Sequence, residues 1–208
     1  MRQGAEGEGP VSATRLLVLG VVRMHGIAHG YQVRRELLSW SADKWANVQP
    51  GSIYHALKKM AVEGLLEQVE AEPGAGPGRI AYRLTDSGEA DFDLRLQKLL
   101  SEVREDSTDD HGFAAALTFL PALSRERAIR LLKFRVIQLK GVRANLAALL
   151  EHGSDWGQPQ HVNALYRLWQ ARAEADLEWT QDLIERLRTG EYVMADDAGP
   201  SFGRPAVG

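Results

Sequence analysis

Between Gln49 and Glu63 the chain carries Pro50, Gly51, Ser52, Tyr54, His55, Lys58 and Lys59, with no acidic side chain until Glu63 itself. This set suits anion binding and hydrogen bonding rather than bond-making. Proline fixes the entry dihedral, Gly51 or Ser52 can occupy a first helical turn, and the free N–H groups and dipole of a helix start favour an anion. Gly51 permits close backbone approach, and Ser52 adds a hydroxyl donor. On a helix, Ile53, Leu57, Met60 and Ala61 form the core face, leaving Ser52, Tyr54, His55, Lys58 and Lys59 largely off it. A helix about 10–12 Å across fits a major groove of about 12 Å, where side chains reach base edges. Two lysines on one helix are also what a solvated face carries, and Tyr54 could be a core aromatic with its hydroxyl at the surface. The neighbouring elements must decide.

Those elements are legible. Thr14 is a candidate N-cap for a mostly buried helix through Leu16, Leu17, Leu19, Val21 and Val22, ended by Gly26. A second helix begins near His29-Gly30, with Tyr31, Val33, Leu37 and Leu38 on one face and Arg34, Arg35 and Glu36 opposite. After a connector holding Trp40 and Trp45, the third helix runs from the Gln49-Pro50-Gly51-Ser52 turn to a stop at Gly64. Two alternating stretches, Leu65 to Glu70 and Ile80 to Leu84, flank a Gly/Pro-rich tip and predict a β-hairpin. Arg79 stands at its base, where it could reach a minor groove or the backbone, though the hairpin could equally be any surface ribbon. A capped helix follows from Glu89 to about Glu105. Three helices, a hairpin and a connecting helix in this order make a winged helix–turn–helix.

The expected organisation is a disordered tail at 1–13, a winged helix–turn–helix domain at 14–105, a helical dimerisation and effector domain at 106–194, and a disordered tail at 195–208. The fold class is therefore mostly α with a small β-hairpin. In the second domain a short apolar helix from Phe113 to Leu120 ends at Pro121, and a long helix opens at Ser124. The steps between Ile129, Leu132, Val136, Leu139, Leu146 and Leu150 alternate between three and four residues, interrupted at Arg143. A last helix to Thr189 carries Leu165, Leu168, Trp169, Trp179, Leu183 and Leu187. These stripes need apolar partners, so Leu132, Val136, Leu139, Leu165, Trp169 and Leu183 are expected at a homodimer interface, unless the helices pack only within one chain. Trp169 and Trp179 are candidates for stacking on an apolar effector; tryptophans at helical spacing also serve as core or interface.

Composition narrows the function. Of 208 residues, 44% are hydrophobic and 25% charged, as in an ordinary globular protein. Without cysteine there can be no disulfide, thiolate zinc site or cysteine nucleophile, and the composition suits a reducing cytoplasm. The longest apolar run, Leu16 to Val22, falls far short of the ~20 residues of a membrane span, and the Gly/Glu-rich start is not a secretory signal. The net charge of −3 hides an asymmetry. Nine Lys/Arg against six Asp/Glu make Thr14–Thr85 +3, and fifteen against twenty make Asp86–Gly208 −5. An anion-binding module joined to an acidic partner module fits that division.

Enzyme and metal readings find no support. There is no phosphate-binding Gly loop ending in Lys-Ser/Thr, no His-Glu-x-x-His and no Gly-x-Ser-x-Gly. His25 and His29 are separated by the helix-breaking Gly26, and His111 beside Asp109 and Asp110 reads as a solvated acidic linker. No catalytic residue, metal or cofactor is expected. Two readings stay open: a homodimer using paired recognition helices on double-stranded palindromic DNA, and a winged-helix module that binds another protein.

The chain resembles the PadR family of bacterial transcriptional regulators along nearly its whole length. The resemblance rests on Leu16-Leu17-Val18-Leu19-Gly20, His29-Gly30-Tyr31-Gln32-Val33 and Pro50-Gly51-Ser52-Ile53-Tyr54-His55-Ala56-Leu57, followed by Glu63-Gly64-Leu65-Leu66 and Tyr82-Arg83-Leu84-Thr85-Asp86-Ser87-Gly88. The long C-terminal part is similar to the branch with larger C-terminal domains. The resemblance implies a dimer through C-terminal helices, often a repressor released by a small molecule. It places Tyr31, Ser52, Tyr54, Lys58 and Lys59 near DNA.

Overall fold

The computed structural model describes residues 13–70, 80–103, 111–153, 155–199 and 201–202. The hairpin tip with Arg79, and the stretch 104–110 on which the expected domain boundary largely falls, lie outside these residues.

The first helix, α1 (Ala13–His25), buries its middle from Leu16 to Val22. Thr14 lies inside it rather than capping it. Gly26 turns the chain at φ +68°, a left-handed geometry that suits a residue without Cβ. A short strand, β1 (Ala28–His29), then precedes α2 (Gly30–Ser39). The connector expected after α2 holds one helical turn, α3 (Ala42–Trp45), braced by the Trp45 indole N–H donating to the Trp40 carbonyl at 2.8 Å. Helix α4 (Pro50–Val62) follows, ending before Gly64 at φ +74°.

The hairpin of β2 (Leu66–Glu70) and β3 (Ile80–Leu84) is antiparallel, Leu66 facing Leu84 and Gln68 facing Tyr82. Its other edge pairs with β1, Ala28 opposite Tyr82, giving the sheet order β1-β3-β2. A two-residue strand is too short to show alternation, so the sequence pattern does not reveal it. Thr85 caps α5 (Asp86–Ser101), accepting the Gly88 N–H while its hydroxyl donates to the Gly64 carbonyl at 2.7 Å. The helix thus starts three residues earlier than Glu89, because the cap sits at Thr85. It stops at Ser101, short of Glu105.

The remaining elements are α6 (His111–Thr118), a 3₁₀ turn (Leu120–Ala122), α7 (Arg125–His152) and α8 (Val162–Arg188). One buried cluster runs through both parts of the chain, joining Leu16–Val22 and Phe92 to Phe113, Phe119, Leu132, Leu183 and Leu187. Phe119 approaches α1 so closely that a Cβ on Gly20 would collide with its ring.

Disorder was expected from residue 195 onward, but 195–199 and 201–202 are built into the fold. Arg125, first residue of α7, donates to the carbonyls of Leu187 (2.5 Å) and Tyr192 (2.9 Å) and to the Asp197 carboxylate. The Asp196 carboxylate accepts the Arg125 N–H, and the Ala195 N–H donates to the Leu123 carbonyl. Met194 is fully buried, and Phe202 packs on Trp40 and Phe119. Local Gly/Pro content hides these long-range bonds.

Candidate nucleic-acid interface

Helix α4 is positioned by its inner face, where Ile53, Leu57 and Met60 are buried. Gly51, Tyr54, His55, Lys58, Lys59 and Val62 are exposed. Nothing lies within 4 Å of where a Gly51 Cβ would stand, so the bare backbone there faces outward. Ser52 behaves differently. It is half-buried, and its hydroxyl donates to the Gln49 carbonyl at 2.7 Å, so the donor expected for a phosphate is used within the turn.

Tyr54 is 41% exposed and lies against the start of α2, where an ideal Cβ on Gly30 would come within 2.7 Å of its ring. Tyr31, 46% exposed, stacks on His29 with ring centroids 5.6 Å apart. The His29 Nδ1 is 3.4 Å from the Ile80 carbonyl of β3, and the His29 N–H donates to the Gln32 side chain at 2.7 Å. His29 therefore ties the Tyr31 end of α2 to the base of the hairpin. The structure thus gathers Tyr31, Gly51, Tyr54, His55, Lys58 and Lys59 on α2 and α4, with the Ser52 hydroxyl turned back on the chain.

The charges are sorted. Away from the two helices, the described arginines of this part are neutralised: Arg15 pairs with Glu63 and Asp91, Arg23 with Glu89, and Arg83 with its cross-strand neighbour Glu67. Lys58, Lys59, Lys44, Arg34 and Arg35 make no ion pair or side-chain hydrogen bond among the described residues, and all are exposed. Net charge did not single out Arg34, Arg35 and Lys44; the absence of partners does. Lys44 has Asp43 as its chain neighbour, whereas Glu36 of α2 is half-buried and faces His25 at 3.9 Å. Unpaired cations keep their full charge for an external anion.

In the helical part, Leu132, Leu139 and Leu183 are buried within the single chain and have no free surface for a second copy. They belong to intrachain packing, because α7 and α8 supply each other's apolar partner. Val136 is half-buried, while Leu165 and Trp169 are exposed. Trp179 meets Phe113 edge to face at 5.9 Å, and the buried Arg135 places its guanidinium 3.7 Å from the Phe113 centroid. Trp169 contacts Tyr166. A groove of about 340 Å³ is lined by Lys133, Val136, Asp182 and Arg188, among others, and by neither tryptophan. No group of three metal-binding side chains occurs among the described residues, and no helix there is long and apolar enough to cross a membrane.

Comparison with known proteins follows this geometry. The transcriptional regulator PadR-like family model matches residues 18–94, from within α1 to the middle of α5. No curated protein matches. Among solved structures, Bacillus subtilis PadR in complex with operator DNA is 20% identical, covering 83% of this chain and 98% of that one, with a TM-score of 0.38. The same protein in complex with p-coumaric acid is 20% identical over 88% of this chain and 99% of that one, TM-score 0.38. A PadR-like transcriptional regulator from Bacillus cereus is 18% identical over 88% and 99%, TM-score 0.37. The winged-helix part of the chain, residues 18–94, thus matches the model of the PadR-like family of transcriptional regulators.

Proposed function

We propose that the chain is a homodimeric DNA-binding repressor of the cytoplasm, each protomer laying α4 in the major groove of one half of a palindromic operator. One observation carries this reading: among the described residues the exposed cations of α2 and α4 are unpaired, while Arg15, Arg23 and Arg83 around them are neutralised. Gly51 leaves the backbone at the start of α4 open to a phosphate, His55 one turn on reaches base edges, and Lys58 and Lys59 reach phosphates. One such helix binds weakly; a dimer supplies the second.

The dimer surface is a stripe on α7 other than the one that packs inside the chain. Phe134 and Ile137 are 54% and 65% exposed, and Gly141, Ala144 and Ala148 continue the same three- and four-residue steps. Leu165, Leu168 and Trp169 are exposed on α8. Exposed Lys133, Lys140 and Arg143 on α7 and Glu174, Asp176 and Glu178 on α8 make no ion pair among the described residues and can pair between α7 of one copy and α8 of the other, with Arg167 and Arg172 of α8, also exposed and unpaired there, beside Leu168 and Trp169. Trp169 and Trp179, both part-exposed, are the surfaces for a small-molecule effector.

The experiment is fluorescence anisotropy with the DNA upstream of the chain's own gene, at two salt concentrations. A dimer-sized complex that weakens steeply with salt is expected. A protein that binds no such duplex at low salt overturns the reading and leaves the winged helix as a protein-binding module.

A further inference from the structure

Helix α2 carries a pattern that repeats on α4. On α4, Tyr54 is followed one turn later by Lys58, and His55 by Lys59; on α2, Tyr31 is followed one turn later by Arg35, and Gly30 by Arg34. Residues four apart stack on the same helix face, so each helix presents an aromatic side chain with a cation one turn along. The two ladders lie side by side because Gly30 faces Tyr54 and Leu57 across the α2–α4 contact. Arg34, one turn on from Gly30, stands on the α4 side of α2 yet is exposed, at the rim of that contact. Arg35 shares the outward face of Tyr31.

Three facts point these arginines at one partner. Neither makes an ion pair or side-chain hydrogen bond among the described residues. The one acid of α2, Glu36, is half-buried and directed toward His25 of α1. The cations nearest in kind, Lys58 and Lys59, are also unpaired on the adjacent helix. A guanidinium binds a phosphate through two parallel N–H···O bonds, a geometry that a solvated lysine does not supply.

We propose that Arg34 and Arg35 bind phosphates of the DNA backbone flanking the groove entered by α4, so that α2 sets the angle and depth of the recognition helix independently of base sequence. The proposal rests on the DNA-binding reading above. Lys44 is outside it because it stands on α3 and not on α2 or α4. Phosphate contacts release counterions, and each one lost lowers the slope of log affinity against log salt by about 0.9.

The test uses the full-length chain with two fluorescent duplexes, one of mixed sequence and one from upstream of its own gene, over a series of potassium chloride concentrations. The R34A/R35A variant is expected to lose affinity several-fold for both duplexes equally, with the salt slope lower by about 2 per bound protomer. R34K/R35K restores most of the slope but not all of the affinity. R188A, which removes a cation already paired with Glu185, leaves both unchanged. Circular dichroism confirms the fold, and R34Q/R35Q serves where the alanine pair is unstable. A folded variant with wild-type affinity and slope overturns the assignment of α2 alone. Wild-type protein that binds neither duplex overturns it together with the DNA-binding reading.

Discussion

An ideal Cβ on Gly30 would stand 2.7 Å from Cε1 of Tyr54, so the start of α2 touches α4 with no room for one methyl group. Ala at position 30 gains up to about 1 kcal/mol of helix propensity, and forcing an extra carbon into a packed contact costs about 1–3 kcal/mol. The Tyr54 ring is half-exposed and can turn outward, so the strain is relieved at the surface proposed to face DNA. Gly30→Ala is therefore expected to change the melting temperature little and to weaken DNA binding clearly. A titration with the upstream duplex beside a thermal melt separates the two; equal losses in both would argue that Tyr54 is only a core residue.

The winged helix was readable because its signals are local. Pro50 at the start of α4, Gly64 after it, the alternation of Leu66–Glu70 and Ile80–Leu84 and the Thr85 cap each specify one turn of structure. What escaped reading depends on distant partners. The apolar steps through Leu132 and Leu139 show that a face is buried, and periodicity is silent on whether α8 or a second chain covers it. The strap from Met194 to Phe202 is held by Arg125, some seventy positions away in sequence, so its own composition looks disordered. Ser52 carries the right chemistry for a phosphate, yet a hydroxyl near a helix start bonds its own turn first.

Lys58 and Lys59 are exposed and unpaired, so truncating them removes nothing that holds the fold. Lys58→Ala and Lys59→Ala should each leave stability within about 0.5 kcal/mol of the wild type and weaken binding to all duplexes alike. His55 is at the centre of the outward face, so His55→Ala should instead change sequence preference, by about 1–3 kcal/mol at one base pair if it makes a specific contact. Selection from a randomised duplex pool reads this. An unaltered preference would move base reading away from His55.

Arg125 joins the start of α7 to the end of α8 and to the strap, and its loss strands the Leu187 and Tyr192 carbonyls. Arg125→Ala should lower the melting temperature by several degrees, more than Arg130→Ala, whose guanidinium pairs with the exposed Glu126. Phe202→Ala removes a ring packed 5.5 Å from Trp40 and 6.1 Å from Phe119, and should raise hydrogen exchange around α3. Exchange unchanged in α3 would show that the strap does not brace the helix–turn–helix.

The Met194 N–H, and after it the Arg125 guanidinium, hold the Asp197 carboxyl below its ordinary value despite some desolvation. A depressed folded-state value stabilises the fold above the ordinary carboxylate range of about 3.9, and that contribution is lost as pH falls through the lower value. Asp197→Asn should accordingly be less stable than wild type near neutrality, with the gap closing in acid. Melts of both proteins across that range check the sign, since a gap that widens on acidification contradicts it.

The outer stripe of α7 and the buried one make opposite predictions for a charged substitution. Ile137 is 65% exposed in one chain, so a glutamate there meets water in the monomer and costs little folding free energy. In an α7-against-α8 dimer the same carboxylate is removed from water among the apolar side chains of the stripe, a desolvated charge in place of an apolar contact. Leu132→Glu places its charge in the core of the single chain and should unfold it. Ile137→Glu is therefore expected to give a folded monomer by light scattering at concentrations where the wild type is a dimer, with DNA affinity falling because the two recognition helices no longer bind together. Ile137→Glu that stays dimeric and helical would place the interface elsewhere.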